Sequence, residues 1–86
     1  IKDYFDLSHN ELIACDELIK IVKSEIIKKD QSVKGFNIGT NIGKASGQSI
    51  FHCHIHLIPR RERDVENPQG GVRSVIPTKQ HYKREK

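Results

Sequence analysis

The chain has no methionine, position 1 included, and it opens Ile1-Lys2-Asp3-Tyr4-Phe5 with no apolar run resembling a secretory signal. Such a start reads as an interior stretch of a longer chain. Nothing approaches the ~20 apolar residues that a membrane-spanning helix needs, so no membrane partner is expected. Cysteine is scarce: Cys15 and Cys53 stand far apart, with no CxxC pair. Without a secretory segment, that usage predicts reduced thiols in a cytoplasmic protein. Both fall on apolar faces, where buried structural thiols are expected. Neither Gly-x-Gly-x-x-Gly nor a P-loop is present, which removes phosphate binding of those two kinds. No internal repeat is visible.

What is present is small and basic. Eighty-six residues allow one domain with little core of its own. Net charge is +4 with a pI near 9.2, and Lys79, Lys83, Arg84 and Lys86 crowd the last eight positions. Residues 78–86 therefore read as a solvated, disordered tail. A basic surface favours anionic ligands. Nucleic acid is not expected as a partner, because apart from Tyr82 the tail has no aromatic residues for base stacking.

Ser8 and Glu11 form a predicted capping box, flanked by Leu7 and Leu12 at the staple positions. Leu12, Cys15, Ile19, Val22 and Ile26 then recur at three- and four-residue steps, the stripe of an amphipathic helix that fades at Lys29-Asp30. Lys34 to Asn41 alternates like a strand. Ile42 to Ser49, with Gly43 and Gly47, has the makings of a loop whose amides approach a ligand. Ile50 to Ile58 is a second strand, ended by Pro59, and a hairpin is the default pairing. Arg60 to Asp64 reads as a solvated turn. Val72 to Ile76 is expected as a short edge strand or an extended segment. The fold class is α+β, an antiparallel sheet with a packed helix.

The second strand carries the chemistry. His52, His54 and His56 alternate with Cys53, Ile55 and Leu57, the period-two pattern of a half-buried strand. At about 3.3 Å per residue, neighbouring imidazoles stand ~6.6 Å apart, and the outer two are ~13 Å apart. All three cannot ligate one zinc ion, whose nitrogens lie within about 2.1 Å of it, so no metal is expected. An imidazole, with its pKa of about 6.5, is suited to nucleophilic and acid–base work near neutrality. An accidental polar face is the bland alternative.

His-φ-His-φ-His-φ-φ, with φ apolar, resembles the signature of the histidine triad (HIT) nucleotide hydrolases and transferases, and His52 to Ile58 fits it at every position. Gly47-Gln48-Ser49, Phe36 to Asn41, and Asp64 with Asn67-Pro68 and Gly70-Gly71-Val72-Arg73 are also similar to that family. The resemblance implies that residues 1–77 are the C-terminal portion of a single HIT-like domain, incomplete here, in a protein that pairs as a homodimer. It implies His54 as nucleophile toward an α-phosphorus, with His56 on the non-bridging oxygens and His52 supporting the network. Asn41, Gln48 and Ser49 would donate to phosphate. No cofactor is implied, and Arg73 is a weaker candidate for a phosphate contact. The implied substrate is a nucleotide, either a dinucleoside polyphosphate or a nucleoside phosphoramidate. A nucleotide sensor that keeps the triad without turnover is the alternative. A metal protein using His52 and His54 ranks behind both.

Overall fold

The computed structural model describes residues 3–49 and 52–81. After a short 3-10 turn at Tyr4–Asp6 comes one helix, α1, at His9–Lys29. Its start follows the predicted capping box. Ser8 Oγ accepts from the Glu11 amide at 3.2 Å, and Glu11 Oε1 accepts from the Ser8 amide at 2.7 Å. The bond from the Ser8 amide is the main reason that the Glu11 carboxyl sits below its ordinary pKa. Lys28 and Lys29 occupy the last turn, where cations complement the helix dipole.

Asp30 then redirects the chain. Its carboxylate accepts from the Ser32 amide at 3.0 Å and from the Ser32 hydroxyl. It also accepts from Arg61 Nη2 at 2.6 Å, which ties the end of α1 to the end of the hairpin.

That hairpin is β1 (Val33–Thr40) paired antiparallel with β2 (Ile55–Arg61). Thr40 stands opposite Ile55, Gly39 opposite His56, Asn37 opposite Ile58 and Phe36 opposite Pro59, with a register slip at Lys34. Opposed residues share a face. One face carries Phe36, Ile38 and Thr40 with Ile55 and Leu57; the other carries Asn37 and Gly39 with His56 and Ile58. Toward the first face, α1 leaves a groove lined by Cys15, Leu18 and Ile19 against Cys53 and Ile55. This is the α+β arrangement that the pattern predicts, with the helix on the side away from the His56 face.

Several local expectations are corrected. The histidine strand does not run from Ile50 to Ile58: Ile50 and Phe51 lie outside the described residues, and regular pairing begins only at Ile55. Pro59 does not end it. Within the described sheet β2 has one neighbour, so alternate amides point away from the ladder, and proline is tolerated at such a position. Arg60 and Arg61 are therefore strand residues rather than a solvated turn. Arg60 donates to Asp64 through Nε at 2.8 Å and Nη2 at 2.9 Å, and its Nη1 donates to Asn37 Oδ1. This fork holds the Asp64 carboxyl well below the usual carboxylate range.

Val72 to Ile76 is not an edge strand, and only Ile76 in it is extended, because Gly71–Val75 form a 3-10 helix. Gly70 and Gly71 have φ of 89° and 53°, and the Ser74 hydroxyl donates to the Gly71 carbonyl at 2.8 Å. A second 3-10 turn spans Pro77–Lys79. Gln80 Nε2 then donates to the Asn67 and Gln69 carbonyls at 3.1 and 3.0 Å, so the chain is still tied back where the tail was expected to begin. Residues 82–86 lie outside the described part.

Among the described residues no hydrophobic side chain is fully buried. Both cysteines are half-buried along the α1 groove rather than enclosed. Partial desolvation is the first cause that raises the Cys53 thiol, and neighbouring acidic groups add to it. No described helix is long and apolar enough to cross a membrane.

Candidate active site

Where β1 ends, the chain turns through Gly43, the 3-10 turn Lys44–Ser46 and Gly47, with φ of 83° and 88° at the two glycines. Gln48 closes this loop on itself. Its amide donates to the Gly43 carbonyl at 3.1 Å, and its Oε1 accepts from the Gly43 amide at 2.8 Å. At 8% exposure it is the one buried polar side chain among the described residues. The closed loop brings Ser49 back beside Asn41. Gly47 is suited to that position by its left-handed backbone; a Cβ there would meet only the Asn41 amide nitrogen, at an ordinary 3.7 Å.

His52, Cys53 and His54 precede the regular strand, yet the alternation survives without a ladder. His52, His54 and His56 are exposed, while Cys53, Ile55 and Leu57 are half-buried. One side-chain bond extends the register by a residue. Thr40 Oγ1 donates to the His54 carbonyl at 2.7 Å, just past the last pair, Thr40 with Ile55. No described hydrogen bond ties any of the three rings, and all three residues line one opening.

The opening is a cleft of about 100 Å³ lined by Asn41, Gly47, Gln48, Ser49, His52, His54 and His56. All six residues expected at the site therefore line one cavity, brought together from the loop after β1, the approach to β2 and β2 itself. Arg73 lies outside it, in the Gly71–Val75 turn. The Gln48 oxygen is engaged within the loop, so donation from this side chain falls to its amide nitrogen. Among the described residues, no group of three or more His, Cys, Asp or Glu side chains is placed to hold a metal ion. Thr40 is the contributor that the sequence did not single out, since a hydroxyl at a strand end looks like any other alternating position.

Over residues 1–63 the sequence matches the HIT domain. The chain belongs to the HIT family. It is similar to the asymmetrical bis(5'-nucleosyl)-tetraphosphatase of Schizosaccharomyces pombe, 36% identical over 83 residues that cover 85% of this chain and 45% of that protein. An adenylylsulfatase of Arabidopsis thaliana is 48% identical over 46 residues, 54% of this chain and 23% of that one. Among solved structures, a hypothetical histidine triad nucleotide-binding protein of Sulfolobus tokodaii superposes with a TM-score of 0.66 at 33% identity, over 74% of this chain and 42% of that chain. The chain thus spans about half or less of the relatives that it matches. As a HIT member, it carries the family's signature in the segment that walls the cleft.

Proposed function

We propose that the protein is a nucleotide hydrolase or nucleotidyl transferase acting on a dinucleoside polyphosphate or a nucleoside phosphoramidate. The observation that carries this reading is the shared cleft, which three exposed histidines line together with Asn41, Gln48 and Ser49. A ring nitrogen of His54 attacks the α-phosphorus as the bond to the leaving group breaks, and the leaving group departs with a proton. Water or another acceptor then attacks the nucleotidyl-histidine and frees the ring. His56 holds the non-bridging oxygens, and His52 supports the network. Asn41, Ser49 and the Gln48 amide nitrogen donate to the charge that develops on phosphate. The Thr40 hydroxyl fixes the His54 main chain from the opposite strand. A homodimer is part of the same reading, since Ile13, Leu18 and Ile21 of α1 stay exposed in the single chain.

Turnover of diadenosine tetraphosphate and adenosine phosphoramidate, with and without a chelator, tests this in wild type and His54→Ala. Turnover that survives the chelator and vanishes in the variant is expected. Intact nucleotide binding without turnover in wild type would sink the hydrolase and favour the sensor.

A further inference from the structure

The groove between α1 and the approach to β2 takes no part in the chemistry above. It encloses about 500 Å³, with Cys15, Leu18 and Ile19 of α1 set against His52, Cys53 and Ile55. Both cysteines of the chain therefore open on one cavity. Each is a free thiol and neither is enclosed, so a small oxidant can reach both. The electrostatics agree that they are neighbours. After desolvation, Cys15 is the first of the groups that raise the Cys53 thiol, ahead of Asp3, Asp6 and Glu11. A small apolar residue would fill either position as well as cysteine does. Two thiols in one groove add a chemistry that packing does not need.

The segment that carries Cys53 is also the part of the triad wall that the ladder does not hold. Regular pairing begins at Ile55, and among the described bonds it is the Thr40 hydroxyl, 2.7 Å from the His54 carbonyl, that ties the residues before it. His52 lines both the groove and the triad cleft. The two openings are therefore two sides of one short stretch, and a displacement of Cys53 is passed to the histidines on either side of it.

We propose that Cys15 and Cys53 form a reversible disulfide that switches the triad off, with a hydroperoxide as the oxidant. The Cys15 thiolate attacks one peroxide oxygen. An S–O bond forms, the O–O bond breaks, and the departing hydroxide takes up the proton that Cys15 released. Cys53 is the resolving thiol, because desolvation and the groups around it keep it protonated and slow toward the first step. Its sulfur then attacks the Cys15 sulfenic acid. The S–S bond forms as the S–O bond breaks, and the Cys53 proton leaves with the hydroxide as a second water. Two thiols thus lose two electrons to one peroxide, and a dithiol reverses the change. A disulfide needs its Cα atoms about 4.4–6.8 Å apart. Closing the bond therefore shuts the open groove, draws residues 52–54 onto α1 and pulls the His54 carbonyl off Thr40. The effect on turnover rests on the hydrolase reading above; the bridge itself does not.

The test treats the reduced protein with hydrogen peroxide, blocks the remaining thiols, and maps peptides by mass spectrometry beside an assay of diadenosine tetraphosphate turnover. A Cys15–Cys53 peptide short of two hydrogens is expected within single chains. Turnover should fall at least about tenfold, as displacement of a reacting group by an ångström does, and return with dithiothreitol. Cys15→Ser should keep wild-type turnover before peroxide and after it. Cys15→Ala takes its place if circular dichroism shows the serine variant misfolded, and the peptide map of the wild type needs neither. Cysteines oxidised separately, or bridged only between two copies, would overturn the proposal, and so would a bridged protein with unchanged turnover. Reduced wild type without turnover sinks the hydrolase reading alone. The switch is then read by affinity for adenosine monophosphate, which should weaken about tenfold on oxidation; equal affinity in the two forms would overturn it.

Discussion

Gly70→Ala is the substitution whose cost can be worked most directly from the structure. Gly70 has φ of 89° and ψ of −24°, a left-handed conformation that costs an L-residue about 1–2 kcal/mol. Space adds a second penalty. The new methyl would lie 2.2 Å from the Gln80 carbonyl oxygen and 3.1 Å from its carbonyl carbon. Both belong to the backbone, which must withdraw by more than about 1 Å to reach ordinary contact. Moving Gln80 pulls its side chain off the Asn67 and Gln69 carbonyls. At roughly 0.5–1.5 kcal/mol per hydrogen bond, that loss brings the sum to about 2–5 kcal/mol against docking of the Gly71–Val75 turn.

Gly47→Ala provides the matched control. Its φ of 88° and ψ of 11° are also left-handed, but the added Cβ would meet only the Asn41 amide nitrogen, at an ordinary 3.7 Å. It should cost the conformational share alone, about 1–2 kcal/mol. Hydrogen exchange read by mass spectrometry separates the two. The peptide covering 67–80 should lose roughly five- to a hundredfold more protection in Gly70→Ala than the peptide covering 41–49 loses in Gly47→Ala, or reach the unprotected limit. Equal losses would refute the reasoning, because close approach to Gln80 would then contribute nothing.

Two further outcomes follow from single side chains. Thr40→Val should lower kcat several-fold with little change in KM, because it removes the 2.7 Å bond that holds the His54 carbonyl, while Thr40→Ser should keep wild-type turnover; unchanged kcat in the valine variant would remove Thr40 from the site. The Asp30 carboxyl is lowered from 3.8 to about 2, first by the Ser32 hydroxyl and then by Arg61. A depressed folded-state pKa stabilises above the unfolded value and loses that contribution as pH falls through the folded one. The gap in denaturation midpoint between wild type and Asp30→Asn, read by circular dichroism, should therefore be full at pH 5–7 and close between about pH 4 and pH 2. A gap independent of pH would mean that ionisation of Asp30 contributes nothing to the fold.

The legible parts of this chain were those written in local chemistry. The α1 start could be read because Ser8 and Glu11 satisfy each other within one turn, and its stripe because helical spacing is local. The strand limits could not, because they depend on the partner. β1 stops at Thr40 to enter the loop, so His52 and His54 keep strand-like alternation with nothing regular to pair with. The same holds for Arg60 and Arg61, whose run of charge looked solvated until Asp30, Asn37 and Asp64 came beside it. Gly70-Gly71 signalled a turn, but Val72 to Ile76 has strand-like composition. Only the left-handed glycines and the Ser74 bond decide that it coils. At the site, motif spacing found the six polar residues of the cleft. It had no means of showing that Gly39 stands opposite His56, since that depends on the register of the ladder.

How a site can be well defined where the described residues enclose no apolar core follows from where its constraints lie. Among the described residues, Ile13, Leu18, Ile21 and Ile27 of α1 and Ile38 and Ile58 of the hairpin remain exposed, so burial supplies little of the organisation. The cleft is instead held by polar bonds that act over short distances. The Gln48–Gly43 pair closes the loop, the Thr40 hydroxyl grips the His54 carbonyl, and the ladder from Thr40–Ile55 to Gly35–Arg60 sets His56. Arg60 and Arg61 then anchor the far end of that ladder to Asp64 and to the end of α1. Such a scaffold separates two kinds of failure. Covering the exposed apolar surface should raise global stability with little effect on cleft geometry, whereas loss of one of these bonds should loosen the triad with little effect on the helix.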